Sequence, residues 1–153
     1  MLGMQAPDII LTEHIGNVSD HNHQTKTVPS NTLVTKGFNY SLLFFYESDC
    51  GPCQQTIEDL NANYTDLLAD GISITAYAAD TDQENFNFTK ETLAWKDNNT
   101  FCDFKGMKGV NFTNYGVIRT PTMYLTIKQG VIVKKIGNVK ELLSWAKTIG
   151  DRM

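Results

Sequence analysis

Tyr40-Ser41-Leu42-Leu43-Phe44-Phe45-Tyr46 is a continuous apolar and aromatic run. It is too short for a typical helix, and a run without alternation suits a strand buried on both faces. From Pro52 the pattern changes. Cys53, Ile57, Leu60, Tyr64 and Leu67 recur at spacings of four, three, four and three, which predicts a helix over Pro52–Ala69 with one apolar face. Pro52 sits in the first turn, where its missing N–H costs nothing. Asp70-Gly71 supplies a stop. Ile72 to Ala78 reads as a second strand. Strand, helix, strand within residues 40–78 is a βαβ unit, which implies parallel strands and a right-handed crossover.

Further along, Thr81 with Glu84 predicts a capping box for a helix running to about Lys96. Residues 98–109 read as a polar connection carrying Cys102, followed by a short helix over Val110–Tyr115. Thr122–Ile127 and Val131–Ile136 are predicted strands joined by a tight hairpin at Lys128-Gln129-Gly130. Asn138 with Glu141 caps a final helix whose Leu142, Ala146 and Ile149 share a face. Upstream, Pro7, Gly16, Asn17 and Pro29 interrupt any periodicity, so residues 1–30 are expected to be loop-like, with a short strand over Thr32–Thr35. The expected organisation is one domain over residues 31–153 behind an N-terminal extension. Its fold class is α/β, a central mixed sheet covered by helices on both faces.

Composition narrows the function. The 153 residues are 41% hydrophobic and 20% charged, enough to bury a core without a metal or disulfide framework. The net charge of −4, with no Lys/Arg cluster, gives nucleic acid little to hold, because such binding neutralises phosphates. The longest apolar run, Leu42 to Tyr46, falls short of the ~20 residues of a membrane span. No basic and then apolar leader opens the sequence, and Met1-Leu2-Gly3-Met4 reads as a start imposed on a trimmed chain.

Cys50-Gly51-Pro52-Cys53 carries the chemistry. A strand ending into a helix puts Cys50 at the helix N-terminus, where unsatisfied N–H groups and the macrodipole favour a thiolate. Cys53 lies one turn in, on the face of Ile57 and Leu60, and is expected to be more buried. Cys50 is therefore the expected attacking thiol and Cys53 the resolving one. A structural staple closing so short a loop gains little, because the benefit grows with loop length. A zinc site wants four ligands; only Cys102 remains, and His14, His21 and His23 all lie upstream. The reading is therefore redox-active thiols with no metal. His21-Asn22-His23 is read as a solvated loop, Cys102 as a small buried hydrophobe, and Trp95 and Trp145 as core residues on helices.

Thr120-Pro121-Thr122 leads the strand that begins Met123-Tyr124-Leu125. With Phe45-Tyr46, the CGPC and the helix after it, this pattern resembles the thioredoxin superfamily. Ala6-Pro7-Asp8, the inserted helix after Thr81, and Tyr115-Gly116-Val117 before Arg119-Thr120-Pro121-Thr122 resemble its extracytoplasmic TlpA- and ResA-like thiol-disulfide oxidoreductases. The resemblance covers Leu33 to Ile149.

It implies a thioredoxin-like fold, exchange with protein thiol and disulfide substrates, an upstream reductant, no bound cofactor, a monomer, and work in the periplasm. The cytoplasm is the alternative compartment. It implies a cis Pro121 facing the cysteines, a Thr120 backbone that pairs with client peptide, and Tyr46 as the aromatic neighbour of the site. Gly51, Pro52, Glu47 and Asp49 complete the surroundings.

The pattern also departs from the family. Phe44 stands where thioredoxin has a buried Asp, and Thr56 where ResA-like proteins have a Glu; Glu47 is a nearby carboxylate, read first as a solvated strand-end residue and second as a substitute for them. Asp49 replaces the usual Trp before the first cysteine, and its charge disfavours the Cys50 thiolate. No His separates the cysteines. The pair is therefore expected to be a reductant, with a potential nearer thioredoxin's ~−270 mV than DsbA's ~−120 mV. A peroxiredoxin-type thiol peroxidase and a non-catalytic peptide-binding or chaperone module are the rival readings.

Overall fold

The computed structural model describes residues 2–14, 23–29, 34, 36–96 and 100–150. The chain forms β1 (Ile9–His14), β2 (His23–Val28), β3 (Tyr40–Tyr46), α1 (Gly51–Ala69), β4 (Ile72–Ala78) and α2 (Gln83–Lys90). It continues with β5 (Thr100–Cys102), a 3-10 turn (Gly106–Lys108), α3 (Val110–Asn114), β6 (Thr122–Ile127), β7 (Ile132–Ile136) and α4 (Val139–Gly150).

Five strands form one sheet in the order β5-β4-β3-β6-β7. β3 lies at its centre, parallel to β4 and antiparallel to β6. Its unbroken apolar run follows from that place, because both faces are covered. Leu42, Phe44 and Tyr46 pack with Ile57 and Leu60 of α1, Phe86 of α2, and Leu142 and Ala146 of α4. Leu43 and Phe45 face the other way, toward Phe112 of α3, Tyr115, and Ala6 and Ile9 near the N-terminus. Gly71 ends α1 at φ +80, a conformation that favours glycine, and its carbonyl accepts the N–H groups of Asn39 and Tyr40 as β3 begins.

Several expectations are corrected. Part of the segment 1–30 is not loop-like: β1 and β2 pair antiparallel, with Ile9 opposite Val28 and His14 opposite His23. Residues 3–6 lie along the β6–β7 hairpin. The Gly3 N–H donates to Ile132 O, the Ile132 N–H to Met4 O, and the Ala6 N–H to Gly130 O. These backbone groups pair across long stretches of sequence, which local periodicity does not register. The expected strand at Thr32–Thr35 lies, Val34 apart, outside the described residues, as do His21 and Asn22.

Helix α2 starts one residue later and ends earlier than expected. Asp82, not Thr81, accepts the Glu84 N–H. Past Lys90 the backbone turns because Asn61 of α1 takes over its groups: Asn61 Nδ2 donates to Thr92 O and its Oδ1 accepts the Ala94 N–H, both at 2.8 Å. Trp95 is therefore a core residue in a turn rather than on a helix. Strand β5, parallel to β4, replaces part of the expected polar connection. At α4, Asn138 Oδ1 accepts the Glu141 N–H as expected, and Glu141 reaches back to the Gly137 N–H.

Candidate active site

The site forms where β3 runs out and α1 begins. Cys50 is the N-cap of α1, with Pro52 in the first turn. The Gln54 N–H donates to Cys50 O at 3.0 Å, the first helical bond. The Cys53 N–H donates to Cys50 Sγ at 3.2 Å, so a free helix N–H is spent on the sulfur. The two cysteines are joined as a disulfide, with Cα atoms 5.1 Å apart. Cys50 is half-buried, Gly51 and Pro52 are exposed, and Cys53 is 0% exposed among Ile57, Leu60 and Phe44.

Facing them is the loop before β6. The Thr120–Pro121 peptide bond is cis, and Thr120 O lies 3.6 Å from Cys50 Sγ. The Thr122 hydroxyl donates to Arg119 O at 2.7 Å and holds that loop closed. Ile118, in the same loop, is 84% exposed.

The profile of the AhpC/TSA family matches residues 2–142. The chain belongs to the AhpC/TSA family. No curated protein matches it by sequence. Among solved structures it is similar to the C-terminal domain of a Bacteroides thetaiotaomicron protein assigned as a thiol-disulfide oxidoreductase, with a TM-score of 0.74 and 20% identity over 100% of this chain and 98% of that one. It is also similar to the thioredoxin domain of a thiol-disulfide oxidoreductase from Bacteroides vulgatus, with a TM-score of 0.70 and 18% identity over 97% of each chain. A thiol-disulfide oxidoreductase from Bacteroides fragilis gives a TM-score of 0.69 and 20% identity over 95% of this chain and 99% of that one. The AhpC/TSA chain thus has a thioredoxin-like fold that carries a CxxC pair.

Within this family member the flanking residues fall in different places. Tyr46 is wholly buried under the turn, stacked on Phe44 with ring centroids 5.2 Å apart. Its hydroxyl has no hydrogen-bond partner among the described residues. Burial first, and then the Asp80 charge, hold its pKa well above the usual tyrosine range. Tyr46 therefore supports the turn from the core rather than lining its surface. Asp49 is exposed, with Asn85 Nδ2 donating to it at 3.4 Å. Glu47 is half-buried and lines a cavity of about 130 Å³ with Asp49, Asp80 and Asp82. Thr56 donates back to Pro52 O, and Phe44 is fully buried, so neither position supplies a carboxylate.

Sequence reasoning missed Ser48 and Asp80. Ser48 precedes Cys50 by two residues, and Asp80 follows β4. Both are buried, and both Asp80 oxygens accept from Ser48: the N–H at 2.8 Å and the hydroxyl at 2.6 Å. An Asp after an apolar strand looks like an ordinary solvated strand end, and no spacing signal links it to Ser48. Cys102 is half-buried, and its thiol donates to Asp80 O at 3.3 Å. Burial, with the charges of Asp80 and Asp103, outweighs a backbone hydrogen bond at Phe104 and pushes that thiol up to about 12. Among the described residues no group of three or more His, Cys, Asp or Glu side chains could hold a metal ion.

Proposed function

We propose that this protein is a thiol-disulfide oxidoreductase that reduces protein disulfides through the Cys50–Cys53 pair. The observation that carries the reading is the asymmetry of the two sulfurs. One is half-exposed at a helix N-terminus, 3.6 Å from a peptide carbonyl, and the other is buried one turn behind it.

In the reduced protein the Cys50 thiolate attacks one sulfur of a client disulfide. A Cys50–client disulfide forms, and the client's other sulfur leaves as a thiolate that takes up a proton. Cys53 then loses its proton and attacks Cys50 Sγ. The internal disulfide closes and the second client thiol is released, two electrons having moved to the client. An upstream dithiol reverses the change by two further exchanges. The Cys53 N–H and the α1 N-terminus stabilise the Cys50 thiolate each time it forms. Thr120, beside the cis Pro121, presents backbone groups to which an extended client segment pairs.

No cofactor beyond the two thiols is required. The absence of a His between the cysteines and the acidic Asp49 and Glu47 nearby support a reductant rather than a strong oxidant. We assign a monomer, working outside the cytoplasm on the strength of the TlpA- and ResA-like sequence resemblance.

Insulin reduction tests the proposal: wild type is expected to precipitate the insulin B chain and Cys50→Ser is not. The AhpC/TSA match favours a second reading, a thiol peroxidase. Peroxide consumption coupled to a dithiol donor separates the two, because a disulfide reductase leaves the peroxide largely untouched.

A further inference from the structure

Ser48 is tied at each of its polar groups. Its N–H and hydroxyl donate to the two oxygens of Asp80, at 2.8 and 2.6 Å. Its carbonyl accepts Gln54 Nε2 of α1 at 2.7 Å, and its hydroxyl also lies 3.2 Å from Asn85 O of α2. Asp80 is 7% exposed, Ser48 is 9% exposed, and only Asp49 separates Ser48 from Cys50. A carboxylate accepting two hydrogen bonds in a protected site is a stronger and more directional anchor than a neutral acceptor. Asp80 is itself located by β4, next to β3, and by the Cys102 thiol of β5, which donates to its carbonyl oxygen.

We propose that Asp80 is a positioning residue for Cys50. By clamping Ser48 through two hydrogen bonds it fixes the turn after β3, so that Cys50 Sγ stays over the N-terminus of α1 and receives the Cys53 N–H. Without the clamp, the turn keeps the Ala79 N–H bond to Tyr46 O at its start but loses the two bonds that hold Ser48 to the segment after β4. The sulfur then spends less time where the helix stabilises its thiolate. The carboxylate also places a negative charge near the site, which acts in the opposite direction on the thiolate. Clamp and charge can be separated. In Asp80→Asn the amide oxygen accepts the Ser48 N–H, the amide nitrogen donates to Ser48 Oγ, and the hydroxyl turns to Asn85 O. That variant keeps the clamp and loses the charge. Asp80→Ala loses both.

The test is site-resolved alkylation of the reduced protein by iodoacetamide between pH 5 and 9, read by mass spectrometry at Cys50, with circular dichroism melts to establish folding. Asp80→Ala is expected to alkylate at Cys50 at least threefold more slowly than Asp80→Asn at pH 6.5, with its pH profile displaced to higher pH. Both variants lack the charge, so the ratio isolates the clamp. Equal rates and superimposable profiles would overturn the proposal. Should Asp80→Ala not fold, Ser48→Ala carries the test, since it loses the 2.6 Å bond and keeps the charge. A Cys50 rate at least twofold below wild type is expected, and a wild-type rate overturns the clamp. The significance for turnover rests on the oxidoreductase reading, whereas alkylation needs no client. If wild type fails to reduce insulin, that reading fails while the alkylation ratio still decides the role of Asp80.

Discussion

Thr120 O lies 3.6 Å from Cys50 Sγ although seventy residues separate them. The contact is made because β6 pairs antiparallel with β3, with Thr122 opposite Phe45, so the loop before β6 arrives at the end where β3 gives way to α1. The exposed side of Cys50 is thereby bordered by the peptide backbone at Thr120.

The two thiols of the reduced protein differ in access, and their reactivities follow. Limited alkylation at pH 7 should label Cys50 well before Cys53. Cys53→Ser should accumulate mixed disulfides with clients, visible on non-reducing gels, because the resolving thiol is gone. Equal labelling of both cysteines would contradict the division of labour.

Asp49 precedes Cys50 and is exposed, so its charge acts through solvent and is weakened by salt. Asp49→Asn should lower the Cys50 pKa at low ionic strength and make the pair more oxidising. Equilibration of wild type and variant in a glutathione redox buffer reads the potential, and the pH dependence of Cys50 alkylation reads the pKa. The difference should shrink at 1 M salt.

Cys102 is the thiol that should not react. With its pKa pushed up to about 12 by burial, it stays protonated at pH 8, where the unfolded chain's thiol has begun to ionise. The raised value fixes the sign of the stability effect. Stability from holding the neutral thiol is fully present below the unfolded pKa near ~8.5 and is lost as pH climbs toward the folded value. Thermal melts from pH 8 to 11 should show a shallower decline for Cys102→Ala than for wild type. Alkylation of the folded protein at pH 8 should leave Cys102 unmodified.

Asn61 closes the segment after α2 with two hydrogen bonds, to Thr92 O and from the Ala94 N–H. Asn61→Ala should cost about 1–2 kcal/mol in urea unfolding. The loss should also free Trp95, which packs at 6.2 Å from Phe44, and change the tryptophan emission of the native state.

The local pattern of the chain was enough to place its central βαβ unit. An unbroken apolar run, a helical stripe ending in Asp70-Gly71 and a second apolar run specify strands and helix without help from elsewhere. The CGPC at the junction was legible for the same reason, since the chemistry depends on a helix start and a one-turn spacing. What the sequence left open was everything that depends on partners far along the chain. Strands β1 and β2 carry no regular alternation and form by pairing with each other, and β5 is three residues on the edge of β4. The turn that follows α2 is met by two hydrogen bonds with Asn61, far upstream, which the periodicity of α2 does not register. Asp80 was invisible for the deepest reason. An Asp after a strand is ordinarily solvated, and only the packing of β4 beside β3 buries it against Ser48 and turns a common acidic residue into the anchor of the Cys50 turn.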